Sequence, residues 1–337
     1  MNSIFIIGEQ RSGSNLLRLM LDKSPQIAAP HPPHILQRMT PLLPLYGNLN
    51  INENFIQLIE DSCRLIETNP VEWIGVKLDR NRIYDNCKKN TLIAVFGAIM
   101  SSYGEYHKSD YWACKSMQNI RWIDGLEAYF DEPKYIFLHR DPRDVALSFS
   151  KAVVGHKHPY FITKQWLELN QLCFSAKQNI PSDRFFSLKY EDLIKDSKKI
   201  LIQLCAFLKI EYSDSMLNFY ESIEAQNTAK VSMLWDNVTN PVLKQNAGKY
   251  KIEMNKEDLS IIESLAGDIM DKLEYERTVS NDQLKEFNTN DISHFKSENN
   301  RLILEKSNSM DIKDLEMRKK QLAILEEIKD RGALSIC

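Results

Sequence analysis

The chain has 337 residues, with 43 Lys and Arg against 46 Asp and Glu and a formal net charge of −3. At 43% hydrophobic and 26% charged residues the composition is globular, which excludes an acidic disordered chain. A general polyanion binder is also disfavoured, because it would show a basic excess.

The length allows one large domain or two. No stretch approaches the ~18 consecutive apolar residues of a membrane span, so neither a membrane span nor a nucleic-acid partner is expected. Met1–Gly8 reads MNSIFIIG, a short run without a basic leader, and predicts no secretory signal. The six cysteines (Cys63, Cys87, Cys114, Cys173, Cys205 and Cys337) are scattered without a CxxC pair. That spacing fits neither a zinc site nor a disulfide framework, and the expectation is reduced thiols in the cytoplasm.

The first predicted element is a buried strand over Ser3–Ile7, followed at once by the loop Gly8-Glu9-Gln10-Arg11-Ser12-Gly13-Ser14-Asn15. Leu16, Leu17, Leu19, Met20 and Leu21 then carry a mostly buried helix ending near Asp22–Pro25. An apolar piece, Ile27–Ala29, leads into the loop Pro30-His31-Pro32-Pro33-His34. Helical patterns cover about 53–68 and 91–106, a strand is expected at Trp112–Cys114, and a helix at about 118–130. Lys134–Leu138 (KYIFL) is the clearest strand and runs into His139-Arg140-Asp141-Pro142-Arg143-Asp144, with Pro142 suited to a helix's first turn. A long amphipathic helix follows over about 161–178, then a strand at Arg184–Leu188 and helix to about Leu208. The segment 229–250 reads as loop, and a helix at about 256–273 closes the compact part. Strands alternating with helices predict an α/β fold: three layers, a central parallel sheet with helices on both faces. The expected division is a domain over 1–277 and a polar, mainly helical extension over 278–337. Within the extension, Leu284, Phe287, Phe295 and Leu302, then Leu315, Leu322, Leu325 and Ile328, form rough helical stripes. Two readings are open: a tail packed on the domain, or a helix pair that makes a homodimer, although no heptad survives Glu305–Asp311.

A strand, a glycine-bounded loop and a helix N-terminus together make an anion site from unpaired N–H groups and the helix dipole. Gly8 to Gly13 has P-loop spacing, but Ser14 and Asn15 stand where Lys and Ser/Thr would hold a triphosphate and Mg²⁺. The loop therefore suits one phosphate group without a required metal, and the plainer alternative is a tight strand-to-helix turn. Arg140 stands at the carboxyl end of a buried strand, where open α/β sheets bind ligands, with Ser148 eight positions on. A guanidinium and a hydroxyl so placed can grip a second phosphate. A surface ion-pair cluster capping the helix would explain Arg143 and Asp144, but not Arg140.

The segments Gln10-Arg11-Ser12-Gly13-Ser14-Asn15-Leu16-Leu17 and Phe137-Leu138-His139-Arg140-Asp141-Pro142-Arg143-Asp144-Val145-Ala146-Leu147-Ser148 resemble the sulfotransferase family that uses 3′-phosphoadenosine 5′-phosphosulfate (PAPS). The first is similar to its 5′-phosphosulfate loop and the second to its 3′-phosphate motif. Tyr190-Glu191-Asp192-Leu193 and Asn246-Ala247-Gly248-Lys249-Tyr250 resemble later family segments, and the likeness runs in order from about 3 to 275, closer to the Golgi-type and bacterial branch.

The resemblance implies a P-loop-like fold and in-line transfer of a sulfuryl group from PAPS to an acceptor hydroxyl or amine, leaving 3′,5′-ADP, without a metal. The acceptor class stays open among small molecules, sugars, lipids and peptides. It assigns Gln10, Arg11, Ser12, Gly13, Ser14, Asn15, Arg140, Ser148, Tyr190, Gly248 and Lys249 to cofactor binding. Arg11 is also a catalytic cation that meets charge on the leaving phosphate. Lys115, 25 positions before Arg140, falls where the Golgi-type branch carries a catalytic Lys, although here the segment reads Cys-Lys-Ser-Met; Lys77 is the alternative. That branch places a Glu base in the loop after the second strand, where this chain has no carboxylate. His31 is nearest by spacing and His34 next, and either imidazole could serve as base. His156 and His158 are expected to face solvent. Aromatic residues in 100–130 and 155–170 are open to two roles, acceptor pocket or core. Two other function classes remain in view: a P-loop kinase or NTPase, against which the residues after Gly13 speak, and a non-catalytic interaction protein using the tail.

Overall fold

The computed structural model describes residues 1–231, 233–308 and 312–334. Cys337 and the side chain of Leu315 lie outside the described residues. Five parallel strands, β1 (Asn2–Gly8), β2 (Ile27–Ala28), β3 (Tyr111–Cys114), β4 (Lys134–His139) and β5 (Phe185–Lys189), stand in the order β2-β3-β1-β4-β5. β1 is central, with Phe5 opposite Cys114 on one side and Tyr135 on the other. Its side chains alternate between two cores: Phe5 and Ile7 enter one, Ile4 and Ile6 the other, all fully buried. Each such side chain contributes about 1.5–3 kcal/mol on burial, so a strand apolar on both faces belongs mid-sheet.

The helices complete the three layers. The face of Phe5 and Ile7 is covered by α2 (Ile35–Met39), α3 (Asn52–Glu67), α5 (Leu92–Tyr106), α8 (Pro159–Asn179) and α13 (Lys256–Lys272). The opposite face takes α1 (Ser14–Asp22), α9 (Tyr190–Lys195), α10 (Ser197–Leu208) and α11 (Ile223–Val231). Between them in sequence lie α4 (Arg80–Asn86), α6 (Ile123–Tyr129), α7 (Pro142–Lys151) and α12 (Tyr250–Glu253). The predicted sheet and layers are those observed.

Three details differ from the sequence reading, and one open choice is decided. The helix expected at 118–130 opens as a 3-10 turn, Met117–Trp122, before α6. The segment expected as loop from 229 continues α11 to Val231 and adds a 3-10 turn over Met233–Thr239. Of the aromatics in 100–130 and 155–170, Trp112, Phe130 and Trp166 pack in or on the core around Phe5. His156 and His158 do not face solvent. They are half-buried because the C-terminal helices fold back over them.

Those helices are α14 (Thr289–Asn308) and α15 (Ile312–Leu334). On α14, Asn299 Oδ1 accepts from the backbone N–H of Lys157 (2.9 Å) and His158 (3.1 Å), and Phe295 stacks on His158 at 4.5 Å. On α15, Ile324 and Ile328 are buried in the main core. Gln321 accepts from Arg38 Nη1 at 2.7 Å and donates to the Leu65 carbonyl at 2.8 Å. Glu327 pairs with Arg64, and Arg331 with the buried Asp61. The extension therefore packs on the domain.

Arg143 joins α7 to α13. Its guanidinium donates to both oxygens of Asp141, at 2.9 and 2.7 Å, and to Glu263 at 2.7 Å, and lies over the Tyr250 ring. All three ionic groups are buried, so Arg143→Met strands two carboxylates and should destabilise the fold by about 3–5 kcal/mol. Urea unfolding measures this; a loss below about 1 kcal/mol, the scale of a surface pair, would show the network to be dispensable.

Candidate functional site

All five strands end at the same edge of the sheet, and the segment after each delivers a side chain to one cavity of ≈ 690 Å³. Arg11 follows β1, His34 follows β2, Lys115 follows β3, Arg140 follows β4 and Tyr190 opens α9 after β5. This is the edge where open parallel sheets bind ligands, at the point where chain connections diverge to either side of β1.

The loop after β1 is shaped by its glycines. Gly13 has φ +87°, and a Cβ there would lie 2.3 Å from the Tyr190 ring; Gly8, at φ +129°, would place one 2.5 Å from the Leu138 carbonyl. Only glycine permits both the backbone conformation and the approach. Arg11 adopts φ +66° without that freedom, a strained position held from two sides. Its Nε donates to Ser148 Oγ at 2.9 Å, and its carbonyl accepts from Arg140 Nη1 at 3.0 Å. Glu9, also in the loop, is buried beneath Gln165, whose Nε2 donates to both carboxylate oxygens. Burial pushes its carboxyl up to about 7, against the lowering effect of those hydrogen bonds. A carboxyl so placed adds less negative charge to the loop than a free carboxylate would.

Arg140 connects four segments. It donates to the Arg11 carbonyl and, at 2.6 Å, to the Asn246 carbonyl, and its guanidinium lies 4.5 Å over the Tyr190 ring. The Tyr190 hydroxyl in turn accepts from Asn246 Nδ2 at 2.8 Å. Asp144 receives the backbone N–H groups of Gly248 (2.6 Å) and Tyr250 (3.1 Å), which brings Lys249 to the cavity rim. Arg140 Nε and Ser12 Oγ are buried donors without a hydrogen-bond partner among the described residues, a costly state that the acceptor atoms of a ligand would relieve.

Near the β2 and β3 ends stand Lys115 and His34. Lys115 is 8% exposed, and burial, with Arg18 and Arg11 nearby, lowers its pKa to about 7. His34 has φ +57° at the start of α2, and its Nδ1 shares a 3.1 Å hydrogen bond with Ser116 Oγ. Burial, Lys115, Arg38 and Arg318 all hold its pKa well below the ordinary value.

Of the residues expected to form the site, Gln10, Arg11, Gly13, Ser14, Asn15, His34, Lys115, Arg140, Ser148, Tyr190 and Lys249 share the cavity wall. Ser12, fully buried, and Gly248, half-buried, are not part of it. His31, expected ahead of His34, does not line the cavity: its ring is buried against Trp235 at 4.8 Å, with neither nitrogen bonded. The physical reason is that its carbonyl, accepting from Trp73 Nε1 and Asn69 Nδ2, is tied into the interior. Lys77 is exposed and away from the wall. Sequence reading missed Trp235, Arg38 and Arg318 in the wall, and Gln165 behind the loop. No spacing in the sequence links them. Arg18, inside an apolar helix, was the one legible signal of a buried polar network; it donates to Ala29, Glu224 and Thr228.

A parallel α/β sheet with a glycine-shaped loop before a helix N-terminus and an arginine at the end of the neighbouring strand defines an α/β transferase architecture. The sulfotransferase family model matches residues 3–214, and the chain belongs to that family. It is 22% identical over 248 residues to a protein-tyrosine sulfotransferase of Drosophila melanogaster, covering 71% of this chain but 45% of the relative. Protein-tyrosine sulfotransferase 1 of Danio rerio is 22% identical over 272 residues, with 77% and 69% covered. The sulfotransferase domain of the Synechococcus PCC 7002 olefin synthase shares the fold, with TM-score 0.54 at 22% identity over 79% of this chain and 94% of that one. The chain spans under half the length of the fly relative.

The Lys115 ammonium makes a signed prediction. Below about pH 7 the folded and unfolded chains both hold its proton; from there to about 10.5 only the unfolded chain does, so stability climbs with pH. Unfolding free energies of the native chain and Lys115→Met should therefore converge across this window, with the variant more stable at the acid end. A pH-independent difference would place Lys115 in contact with water.

Proposed function

We propose that this chain transfers a sulfuryl group from PAPS to an acceptor hydroxyl, by in-line displacement that leaves 3′,5′-ADP. The observation that carries it is the pair of anion grips one cavity apart. One is the loop Gln10–Asn15; the other is Arg140 with Ser148 and Lys249, joined to the first through Arg11. Family membership sets the reaction class. Buried donors without partners and a cation-rich wall fit a doubly phosphorylated nucleotide, which supplies the activated sulfuryl group when bound.

The chain's own residues then do four things. The N–H groups at the start of α1 and the Asn15 and Ser14 side chains bind the 5′-phosphate. Arg140 and Lys249 hold the 3′-phosphate, the guanidinium steadied over Tyr190. Arg11 and Lys115 meet the charge that grows on the leaving oxygen, in a water-poor setting where fixed cations act strongly. In the tautomer whose Nδ1–H donates to Ser116 Oγ, His34 leaves Nε2 to take the acceptor's proton. Its lowered pKa keeps the ring neutral, and so able to accept a proton, at neutral pH. The unpaired thiols of Cys63, Cys87, Cys114, Cys173 and Cys205 support a reducing, cytoplasmic setting.

Calorimetry with 3′,5′-ADP tests the reading: the native chain binds, and Arg140→Ala weakens binding by about 1.5–3 kcal/mol, the worth of a charge-assisted hydrogen bond. His34→Ala should keep that affinity and lose about 10²–10⁴-fold in sulfuryl transfer. Absence of 3′,5′-ADP binding by the native chain would refute the assignment, and full activity in His34→Ala would remove His34 as base.

A further inference from the structure

The cavity holds more positive charge than the nucleotide accounts for. Arg11, Arg140 and Lys249 stand around the phosphate loop and its second grip. Two further guanidinium groups, Arg38 on α2 and Arg318 on α15, line the wall with His34. Arg38 Nη1 donates to the neutral Oε1 of Gln321, and Arg318 has no hydrogen-bond or ion-pair partner among the described residues. Among the described residues the one carboxylate of the wall, Asp144, accepts from the N–H groups of Gly248 and Tyr250 and pairs with Arg140 at 3.8 Å, away from Arg38 and Arg318. The charged side chains acting on the His34 ring, Lys115, Arg38 and Arg318, are all cations. Arg38 feels both burial and the like charge of Arg318, which oppose its protonation. Two guanidinium groups set together without a counter-ion are an anion receptor in waiting, since an oxyanion relieves the repulsion and accepts planar paired bonds.

We propose that Arg38 and Arg318 form an oxyanion subsite for the acceptor, so that the accepted molecule carries a carboxylate or equivalent oxyanion close to its reacting hydroxyl. The inference rests on the sulfuryl-transfer reading for the role of the cavity. Its second arm, α15, lies outside residues 3–214 that match the family model, so this selectivity belongs to the chain's own extension. The subsite also bears on the base. An anion held beside Arg38 and Arg318 offsets the cations that make His34 a weak base, so acceptor binding strengthens the group that takes the acceptor's proton.

The test uses the full chain saturated with 3′,5′-ADP and two probes matched in shape, 4-hydroxyphenylacetate and the neutral 4-hydroxyphenylethanol. Calorimetry should show the carboxylate binding at least about tenfold more tightly, near 1.4 kcal/mol. Arg318→Gln should cancel that preference, Arg318→Lys should restore part of it, and both variants should bind 3′,5′-ADP as the native chain does. In a histidine NMR titration the carboxylate should raise the His34 pKa, and should not in Arg318→Gln. Equal or undetectable binding of the two probes, or a preference that survives Arg318→Gln, overturns the subsite. Failure to bind 3′,5′-ADP at all is a separate readout and counts against sulfuryl transfer itself.

Discussion

The Arg140 guanidinium is the contact on which the site's geometry depends. It reaches the Arg11 carbonyl after β1, the Asn246 carbonyl in the basic loop and the Tyr190 ring after β5, while its own backbone follows β4. Its carbonyl is held from behind by Trp166 Nε1 at 3.1 Å. One delocalised cation with five donors can serve several backbone acceptors and keep Nε free for a ligand, which a lysine could not do. The strain at Arg11 persists because Arg140 and Ser148 hold both ends of that residue, so the loop after β1 and the segment from β4 into α7 are mechanically one object.

Charge is distributed by function across the molecule. The overall balance is slightly acidic, yet among the described residues the cavity wall carries seven Lys and Arg against a single carboxylate. Desolvation makes that concentration expensive, as the lowered pKa values of Lys115 and Arg38 show. The apolar cores on both faces of β1 hold the cations in place despite the cost. The anion of a ligand then gains from an environment already arranged for it. Away from the cavity, buried guanidinium groups are paired: Arg143 with Asp141 and Glu263, Arg18 with Glu224.

How much was legible in the sequence follows from the range over which each signal acts. β1 and β4 could be read because both-face burial imposes an unbroken apolar run, and the phosphate loop because glycine alone tolerates φ +87° beneath an aromatic ring. Arg140 could be read because a charged residue directly after such a strand has few structural excuses. His31 and His34 could not be ranked. They are three residues apart in a proline-rich loop, and only the contacts of Trp73, Asn69 and Trp235 sink one ring while Ser116 holds the other at the wall. His156 and His158 were misjudged for the same reason, since their cover, Asn299 and Phe295, comes from helix α14 more than 130 residues on.

The sequence by itself determined the layered parallel sheet and the glycine-bounded loop before a helix N-terminus, because strand burial, glycine conformation and helix-end donors are local properties of a few consecutive residues. Only the tertiary structure decided which histidine meets the cavity and that the polar C-terminal helix supplies Arg318 to its wall. Those outcomes depend on side chains far apart in the chain, held together by packing and by hydrogen bonds such as Gln321 to Arg38, which leave no periodic trace in the order of residues.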